Sequence, residues 1–180
     1  MRSLLFLLMW LGGCAASAHE VAICYNYDCA VQAQVKIDAQ DFIQLKRLFI
    51  GLRNAPMERE SINLAVGYMG MIAGAQTPVF NDKAGNDNED GVNGRMDCID
   101  HSRTTSAYLR FIDARGWLRF HRVLEPIRRA PLLLNDHWSA RIEEIANGEQ
   151  FAVDSWFFDN GEPAVIFPLQ QWLKGADPRG

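Results

Sequence analysis

The N-terminal half of the chain has the apolar pattern of a β-hairpin followed by two helices. Short runs rich in Val, Ile and Ala predict strands from Val21 to Tyr25 and from Ala30 to Val35. Apolar residues at helical spacing predict a helix over Ala39 to Ile50 and another from Asn54 and Pro56 to about Ala73. Glycines weaken the second helix, so we expect it to pack closely against a neighbouring segment.

The second half combines one further helix with a series of strands. Five residues of the predicted helix from Cys98 to Ala114 share one face at spacings of 4, 3, 4 and 3: Cys98, Ser102, Thr105, Leu109 and Ile112. This face should point toward the core. The predicted strands are Trp117 to Leu124, Ala130 to Leu134, His137 to Ile145, Gln150 to Phe157 and Ala164 to Phe167, followed by a short helix, Leu169 to Leu173. Helices that precede antiparallel strands indicate an α+β fold.

Length and composition are those of one globular domain. The chain has 180 residues, of which 48% are hydrophobic and 22% are charged. Its 18 basic residues are scattered among 22 acidic ones, and the formal net charge is -4. This distribution gives no positive field for a polyanion, so we expect no nucleic-acid partner.

Residues 1–18 have the pattern of an export signal. Arg2 precedes an apolar run from Leu4 to Leu11 that is too short to cross a bilayer, and small residues follow. Two interpretations of the cleavage site stay open. Ala16-Ser17-Ala18 fits signal cleavage, whereas Leu11-Gly12-Gly13-Cys14 resembles a bacterial lipoprotein signal in which Cys14 would be lipidated. In both cases we expect a periplasmic or secreted protein, attached to a membrane only through a lipid on Cys14.

The other cysteines divide into a pair and a single thiol. Cys24 and Cys29 flank the turn Tyr25-Asn26-Tyr27-Asp28, and an oxidising compartment would allow them to form a disulfide. Two buried thiols are the alternative, and a zinc pair is disfavoured because no second ligand pair lies at zinc-finger spacing. Cys98 is left over, and an odd thiol in an exported protein indicates reactivity.

Cys98 begins a helix, which is a position that favours a reactive thiolate. A thiol attacks only as the thiolate, and a helix N-terminus together with an imidazolium lowers its pKa. An acyl-transfer site also needs a general base beside the nucleophile and a third group that orients the base. His137 is the strongest candidate for the base, because it begins a strand whose hairpin partner carries Asp154.

The other three histidines fit this role less well. His19 lies at the predicted cleavage site. His101 is one helical turn from Cys98, which leaves little room for a substrate carbonyl between them. His121 lies in a predicted strand whose other face is apolar, so we expect it to face the polar side.

These residues carry a family resemblance. A cysteine at a helix start, His137-Trp138 at a strand start and a strand that ends in Val153-Asp154 resemble the transglutaminase-like superfamily of papain-related cysteine enzymes. The segment from Gly94 to Asp100 is similar to the Gly-Asp-Cys-Glu-Asp segment of bacterial transglutaminase-like cysteine proteinases, with Arg-Met inserted after the glycine. The resemblance extends from about Gly94 to Trp156, roughly a third of the chain.

The resemblance implies a fold, a triad and an activity. The fold would be a single transglutaminase-like domain over residues 19–180, with helices packed on an antiparallel sheet and the nucleophile at the N-terminus of the central helix. Cys98 would be the nucleophile, His137 the general base and then acid, and Asp154 the group that orients the imidazole. Such a peptidase-like enzyme would hydrolyse or transfer the acyl group of a protein or peptide amide in the cell envelope, and it requires no cofactor. An inactive binding or assembly module of the same fold is the alternative.

An oxyanion hole in such a site needs a donor besides the Cys98 backbone N–H. Asn93 and Gln76 lie upstream of the nucleophile and carry suitable amide groups. Their distances from Cys98 along the sequence do not favour one of them as the second donor.

The hairpin that carries the base has two competing registers. The odd separation of His137 and Asp154 would place them directly opposite each other in a simple hairpin. A two-residue turn at Asn147-Gly148 would instead pair Asp154 with Arg141. We expect a longer or bulged connection that places His137 and Asp154 opposite each other.

The polar loop from Thr77 to Met96 also resembles a calcium-binding loop. Asn86, Asn88 and Asp90 lie at alternate positions, a glycine follows at the sixth position, and Asp97 occupies the twelfth, as in EF-hand and dockerin segments. The loop departs from that pattern by Asn at the first position and Asp rather than Glu at the twelfth. A solvated, turn-rich loop explains the composition equally well, so calcium is one of two expectations.

Overall fold

The structure is a computed structural model that describes residues 19–85, 88–130 and 136–178. The predicted export signal with Cys14 lies outside the described residues, as do Asn86 and most of the predicted strand from Ala130 to Leu134. In the described part of the chain, no helix has both the length and the apolar character that crossing a membrane requires.

The described residues form an α+β fold, as the element order predicts. The strands are β1 (His19–Tyr25), β2 (Val31–Ile37), β3 (His121–Arg129), β4 (His137–Glu144), β5 (Gln150–Asp154) and β6 (Val165–Pro168). The helices are α1 (Ala39–Leu48), α2 (Ala55–Gly74), α3 (Cys98–Asp113) and α4 (Leu169–Leu173). A 3₁₀ turn over Pro78–Asn81 lies in the long loop before α3.

The strands form two antiparallel sheets. β1 and β2 make a two-stranded hairpin, and β3, β4, β5 and β6 follow one another in a four-stranded sheet. Consecutive strands are neighbours throughout, which is the simplest antiparallel order. The first sheet therefore comes from the start of the chain, and the second from its C-terminal third.

The strand after α3 differs from its prediction. The sequence predicts one strand from Trp117 to Leu124 and a separate one from Ala130, whereas β3 starts at His121 and continues to Arg129. Its pairing with β4 shifts register between Leu124 and Ile127. Pro126 lies at this irregularity, where a residue without a backbone N–H is tolerated, so the proline bends the strand instead of ending it.

α3 is the central helix of the fold. It packs against β1 of the first sheet, against β3, β4 and β5 of the second sheet, and against α2. Leu109 and Ile112 on its predicted inner face are fully buried. Because it is covered on several sides, α3 also buries polar residues that a surface helix would expose to water, His101 and Thr105 among them.

The glycines of α2 explain how the loop after β5 docks. A Cβ atom on Gly67 would lie 2.9 Å from the carbonyl carbon of Glu162 and 2.9 Å from the nitrogen of Pro163. A Cβ atom on Gly70 would lie 3.2 Å from the nitrogen of Gly161. The expected close packing of α2 is confirmed, and it places the segment that follows Asp154 against this helix.

Candidate active site

Cys98 is the first residue of α3, and its position is set by reciprocal capping. The side chain of Asp97 accepts a hydrogen bond from the backbone N–H of Asp100, and the side chain of Asp100 accepts one from the backbone N–H of Asp97. The Cys98 thiol is half-buried and accepts a hydrogen bond from the backbone N–H of Trp138. The sulfur therefore contacts the residue that directly follows His137 in the chain.

The turn between β1 and β2 holds the start of α3 from outside. Four consecutive residues, Asn26 to Cys29, adopt left-handed backbone conformations with φ between 50° and 68°. This unusual run turns backbone N–H groups toward α3. The backbone N–H groups of Tyr27 and Cys29 each donate to the Asp100 carboxylate at 2.7 Å. The backbone N–H of Asp28 donates to the Asp97 carboxylate at 3.0 Å.

The predicted disulfide is present and closes this turn. Cys24 and Cys29 are bonded, with their Cα atoms 4.6 Å apart. Their sulfurs and a carboxylate oxygen of Asp100 lie within 4.8 Å of one another. Because the two sulfurs are bonded to each other, they do not serve as metal ligands in this state, and Asp100 binds backbone N–H groups instead.

His137 and Asp154 are hydrogen-bonded to each other, and the residue after His137 is the one that contacts Cys98. His137 Nε2 is 2.7 Å from Asp154 Oδ2, and both side chains are buried, with exposed fractions of 5% and 1%. Because an ionised carboxylate only accepts, the proton of this bond is on Nε2. Trp172 Nε1 donates to the same oxygen at 2.8 Å, and the backbone N–H of Trp156 donates to Oδ1 at 3.2 Å.

The observed hairpin register lies between the two registers expected from the sequence. β4 and β5 pair Ala140 with Val153 and Glu143 with Gln150. The expected direct pairing of His137 with Asp154 is therefore wrong, as is the pairing of Asp154 with Arg141. The two triad candidates lie on one face of the sheet in a diagonal arrangement, which is within reach of an imidazole ring and a carboxylate.

Aromatic rings surround the imidazole of His137. The ring centroid of Trp156 lies 4.8 Å away, that of Trp172 5.7 Å away and that of Phe157 5.8 Å away. These rings exclude water from the bond between His137 and Asp154, which strengthens it. Trp156 Nε1–H is buried and has no hydrogen-bond partner among the described residues.

The environment of Cys98 favours the protonated thiol. Burial raises the pKa of Cys98 to about 11, and the charges of Asp97, Asp136 and Asp154 act in the same direction. The hydrogen bond from the backbone N–H of Trp138 opposes them. At neutral pH the thiol therefore needs a proton acceptor before it can attack.

The structure also shows a buried polar cluster that the sequence did not indicate. His101 Nδ1 is 2.9 Å from Ser155 Oγ, and His101 Nε2 forms an ion pair with Asp82 Oδ2 at 3.0 Å. Ser155 Oγ is also 2.9 Å from Thr105 Oγ1. The one signal in the sequence is that His101 lies one helical turn after Cys98, the same spacing that disfavours it as the base.

The prediction for His121 is wrong. His121 is buried instead of facing the polar side, because Glu58 of α2 lies beneath it. Glu58 accepts hydrogen bonds from His121 Nδ1 and from the backbone N–H groups of Arg119, Phe120 and His121. Burial alone would raise the pKa of Glu58, but these bonds outweigh it and lower the pKa. This cluster lies at the end of β4 opposite to His137.

Of the two predicted oxyanion donors, Gln76 uses its side-chain amide in other hydrogen bonds. Gln76 donates to the carbonyl groups of Lys36 and Ile72 and accepts from the backbone N–H of Lys36. Asn93 is exposed, and its side-chain oxygen accepts from Asn26 Nδ2.

The residues of the predicted calcium loop are only partly described. Asn88 and Asp90 are exposed, and Asn86 lies outside the described residues. Asp97 uses one carboxylate oxygen for the backbone N–H of Asp100 and the other for that of Asp28. The fourth predicted ligand therefore already has a structural role at the start of α3.

Comparison with protein-family models, with curated proteins and with solved structures gave no match.

Proposed function

We propose that the protein is an exported cysteine-dependent amide hydrolase or acyltransferase with a papain- or transglutaminase-like core. Cys98 is the nucleophile, His137 the general base and Asp154 the group that orients the imidazole. The observation that carries this proposal is the 2.7 Å bond between His137 Nε2 and Asp154 Oδ2. The residue after His137, Trp138, donates its backbone N–H to the Cys98 thiol.

The bond to Asp154 determines which ring nitrogen is the base. Since Nε2–H of His137 donates to the carboxylate, Nδ1 is the nitrogen that accepts a proton. The proton of the Cys98 thiol passes to Nδ1, the thiolate attacks the amide carbonyl, and the imidazolium returns the proton to the leaving amine. Water or an acceptor amine then attacks the thioester, with His137 as the base again.

The developing oxyanion needs donors near the thiol. As the first residue of α3, Cys98 has a backbone N–H outside the hydrogen-bond ladder of the helix. Trp156 Nε1–H is an unused buried donor beside His137, and it replaces Asn93 and Gln76 as our second candidate. Two such donors contribute several kcal/mol to acyl transfer, about 3–4 each by general precedent.

The substrate class follows from the predicted export. We propose a protein or peptide amide of the cell envelope, with hydrolysis favoured over crosslinking, in the periplasm or secreted. Attachment to a membrane would then depend on lipidation of Cys14. Calcium in the loop before α3 remains part of the proposal: added calcium should raise the melting temperature, and EDTA should reverse the change.

The test is the alkylation of Cys98 by iodoacetamide as a function of pH. Alkylation is measured on the tryptic fragment Met96–Arg103, which separates Cys98 from Cys14. With His137 as the base, the wild-type rate should remain appreciable at pH 7. The variant His137→Ala should lose that rate and react only as the pH approaches about 11, the pKa to which burial raises Cys98. Equal pH profiles for the two proteins would contradict the proposal.

The raised pKa of Cys98 favours a second candidate function. A thiol that stays protonated at neutral pH suits an inactive module that keeps the fold to bind or assemble envelope components. In that case wild-type Cys98 should resist iodoacetamide at pH 7, and His137→Ala should change stability without changing the alkylation rate.

A further inference from the structure

We propose that His101 is a positioning residue for the site, and that it acts through Asp82 and Ser155. The three side chains connect the segment that carries Cys98 to the segment that carries Asp154. The inference rests on the proposed function, because it assigns the cluster a role in the same site.

On the nucleophile side, Asp82 holds the approach to α3. Its Oδ1 accepts a hydrogen bond from the backbone N–H of Met96, two residues before Cys98, at 2.9 Å. Its Oδ2 forms the 3.0 Å ion pair with His101 Nε2, one turn into the helix. A single buried carboxylate thus fixes the chain on both sides of Cys98.

On the strand side, His101 holds the end of β5. Its Nδ1 lies 2.9 Å from the hydroxyl oxygen of Ser155, the residue that directly follows Asp154. That hydroxyl is also bonded to Thr105 on the next turn of α3. Two residues of the helix that begins with Cys98 therefore hold the backbone next to Asp154.

The charge of the cluster also acts on Asp154. Burial opposes a charge on His101, but the neighbouring carboxylate of Asp82 outweighs it and raises the pKa of His101. The charges of Asp154 and Asp100 add to this rise. When its ring is protonated, His101 can donate to Ser155 and to Asp82 at the same time, and its charge attracts the carboxylate of Asp154.

Positioning of this kind predicts a specific pattern of reactivity. The cluster is proposed to set the orientation of Asp154 and, through it, that of His137. Loss of the cluster should therefore slow the alkylation of Cys98 at neutral pH. It should not change the rate at high pH, where the thiolate forms without the base. A side chain with a purely structural role would lower stability and leave the pH profile of alkylation unchanged.

The experiment uses iodoacetamide on the full-length chain with the fragment Met96–Arg103 as the readout. His101→Gln and Ser155→Ala should each slow alkylation at pH 7 about tenfold, the effect of one lost hydrogen bond to a charged group. Ser155→Thr keeps the hydroxyl and should restore most of the rate. His121→Gln removes an equally buried histidine at the other end of β4, so it should lower the melting temperature with a pH 7 rate within about twofold of wild type.

The outcomes separate the two proposals. A pH 7 rate that falls in His137→Ala but not in Ser155→Ala overturns the positioning role and leaves the proposed function intact. A Ser155→Thr rate as low as that of Ser155→Ala also overturns the positioning role. A rate that is unchanged in His137→Ala overturns the proposed function and the positioning role with it. If His101→Gln does not fold, the two Ser155 variants decide the question, because Ser155 is partly exposed and its hydroxyl is small.

Discussion

Replacement of Asp154 by Asn tests the orientation of the imidazole with little change of shape. In Asp154→Asn the remaining oxygen can still accept from His137 Nε2 and Trp172 Nε1, as Oδ2 does at 2.7 and 2.8 Å. The new amide then replaces Oδ1 and faces the backbone N–H of Trp156, which now donates to Oδ1 at 3.2 Å. The variant therefore keeps the two short bonds, loses the long one and removes the charge.

The size of the effect follows from the loss of that charge. Hydrogen bonds to charged groups contribute about 1.5–3 kcal/mol and neutral ones about 0.5–1.5. The imidazolium of His137 should thus lose about 1.4 kcal/mol of stabilisation, which lowers the population of the thiolate–imidazolium pair about tenfold. One effect opposes this, because the charge of Asp154 also raises the pKa of Cys98. Among the causes that raise this pKa, the charge of Asp154 comes after burial and the charges of Asp97 and Asp136.

The assay is again the iodoacetamide rate of Cys98 at pH 7, and Asp136→Asn is the matched control. Asp136 is a second carboxylate whose charge raises the pKa of Cys98, but its side chain is bonded to Arg128 and not to His137. We expect Asp154→Asn to react about tenfold more slowly and Asp136→Asn to react as fast as wild type or faster. If both variants reacted faster, Asp154 would act on the thiol only through its charge, and its role in orienting His137 would be refuted.

Three further predictions concern stability, each measured by urea unfolding. Gly67→Ala should lower the free energy of unfolding by about 1–3 kcal/mol, because its Cβ would lie 2.9 Å from the backbone of Glu162. Glu58→Gln should remove one pH dependence of the free energy of unfolding. Since the folded pKa of Glu58 is lowered from 4.5, its stabilisation is present above about that pH and is lost as the pH falls through the folded value, so the variant should lose less stability in acid. Reduction of the disulfide Cys24–Cys29 should lower the free energy of unfolding by about 2 kcal/mol, as expected for so short a closed loop.

The elements of the fold were largely predictable because their signals are local. The helix start at Cys98 follows from Asp97, which caps it, and from the polar loop before it. The disulfide follows from two cysteines on either side of a tight turn, together with the predicted export signal. The bend of β3 was not predicted, because Pro126 ends a strand in most contexts and is accommodated here only by a register shift against β4.

The bond between His137 and Asp154 could be anticipated from the sequence, whereas the surroundings of the candidate site could not. His137 and Asp154 could be named because they lie in the two strands of one hairpin. The register, however, depends on a five-residue connection that competes with a stronger two-residue turn signal. The burial of His101 and His121 could not be inferred from their own segments. Each is buried by a carboxylate from a distant part of the chain, Asp82 and Glu58, and such pairs leave no periodic pattern in the sequence.

The carboxylates whose charges act on Cys98 bear on the choice of an imidazole as the base in the proposed mechanism. Asp97 accepts hydrogen bonds from two backbone N–H groups, Asp136 accepts two from the guanidinium of Arg128, and Asp154 accepts from the indole of Trp172, from His137 and from the backbone N–H of Trp156. Hydrogen-bond donors therefore occupy the oxygens of all three carboxylates. Each carboxylate also repels a thiolate. In the proposed mechanism the thiol therefore gives its proton to a group that becomes positive on accepting it, which is the role proposed for His137.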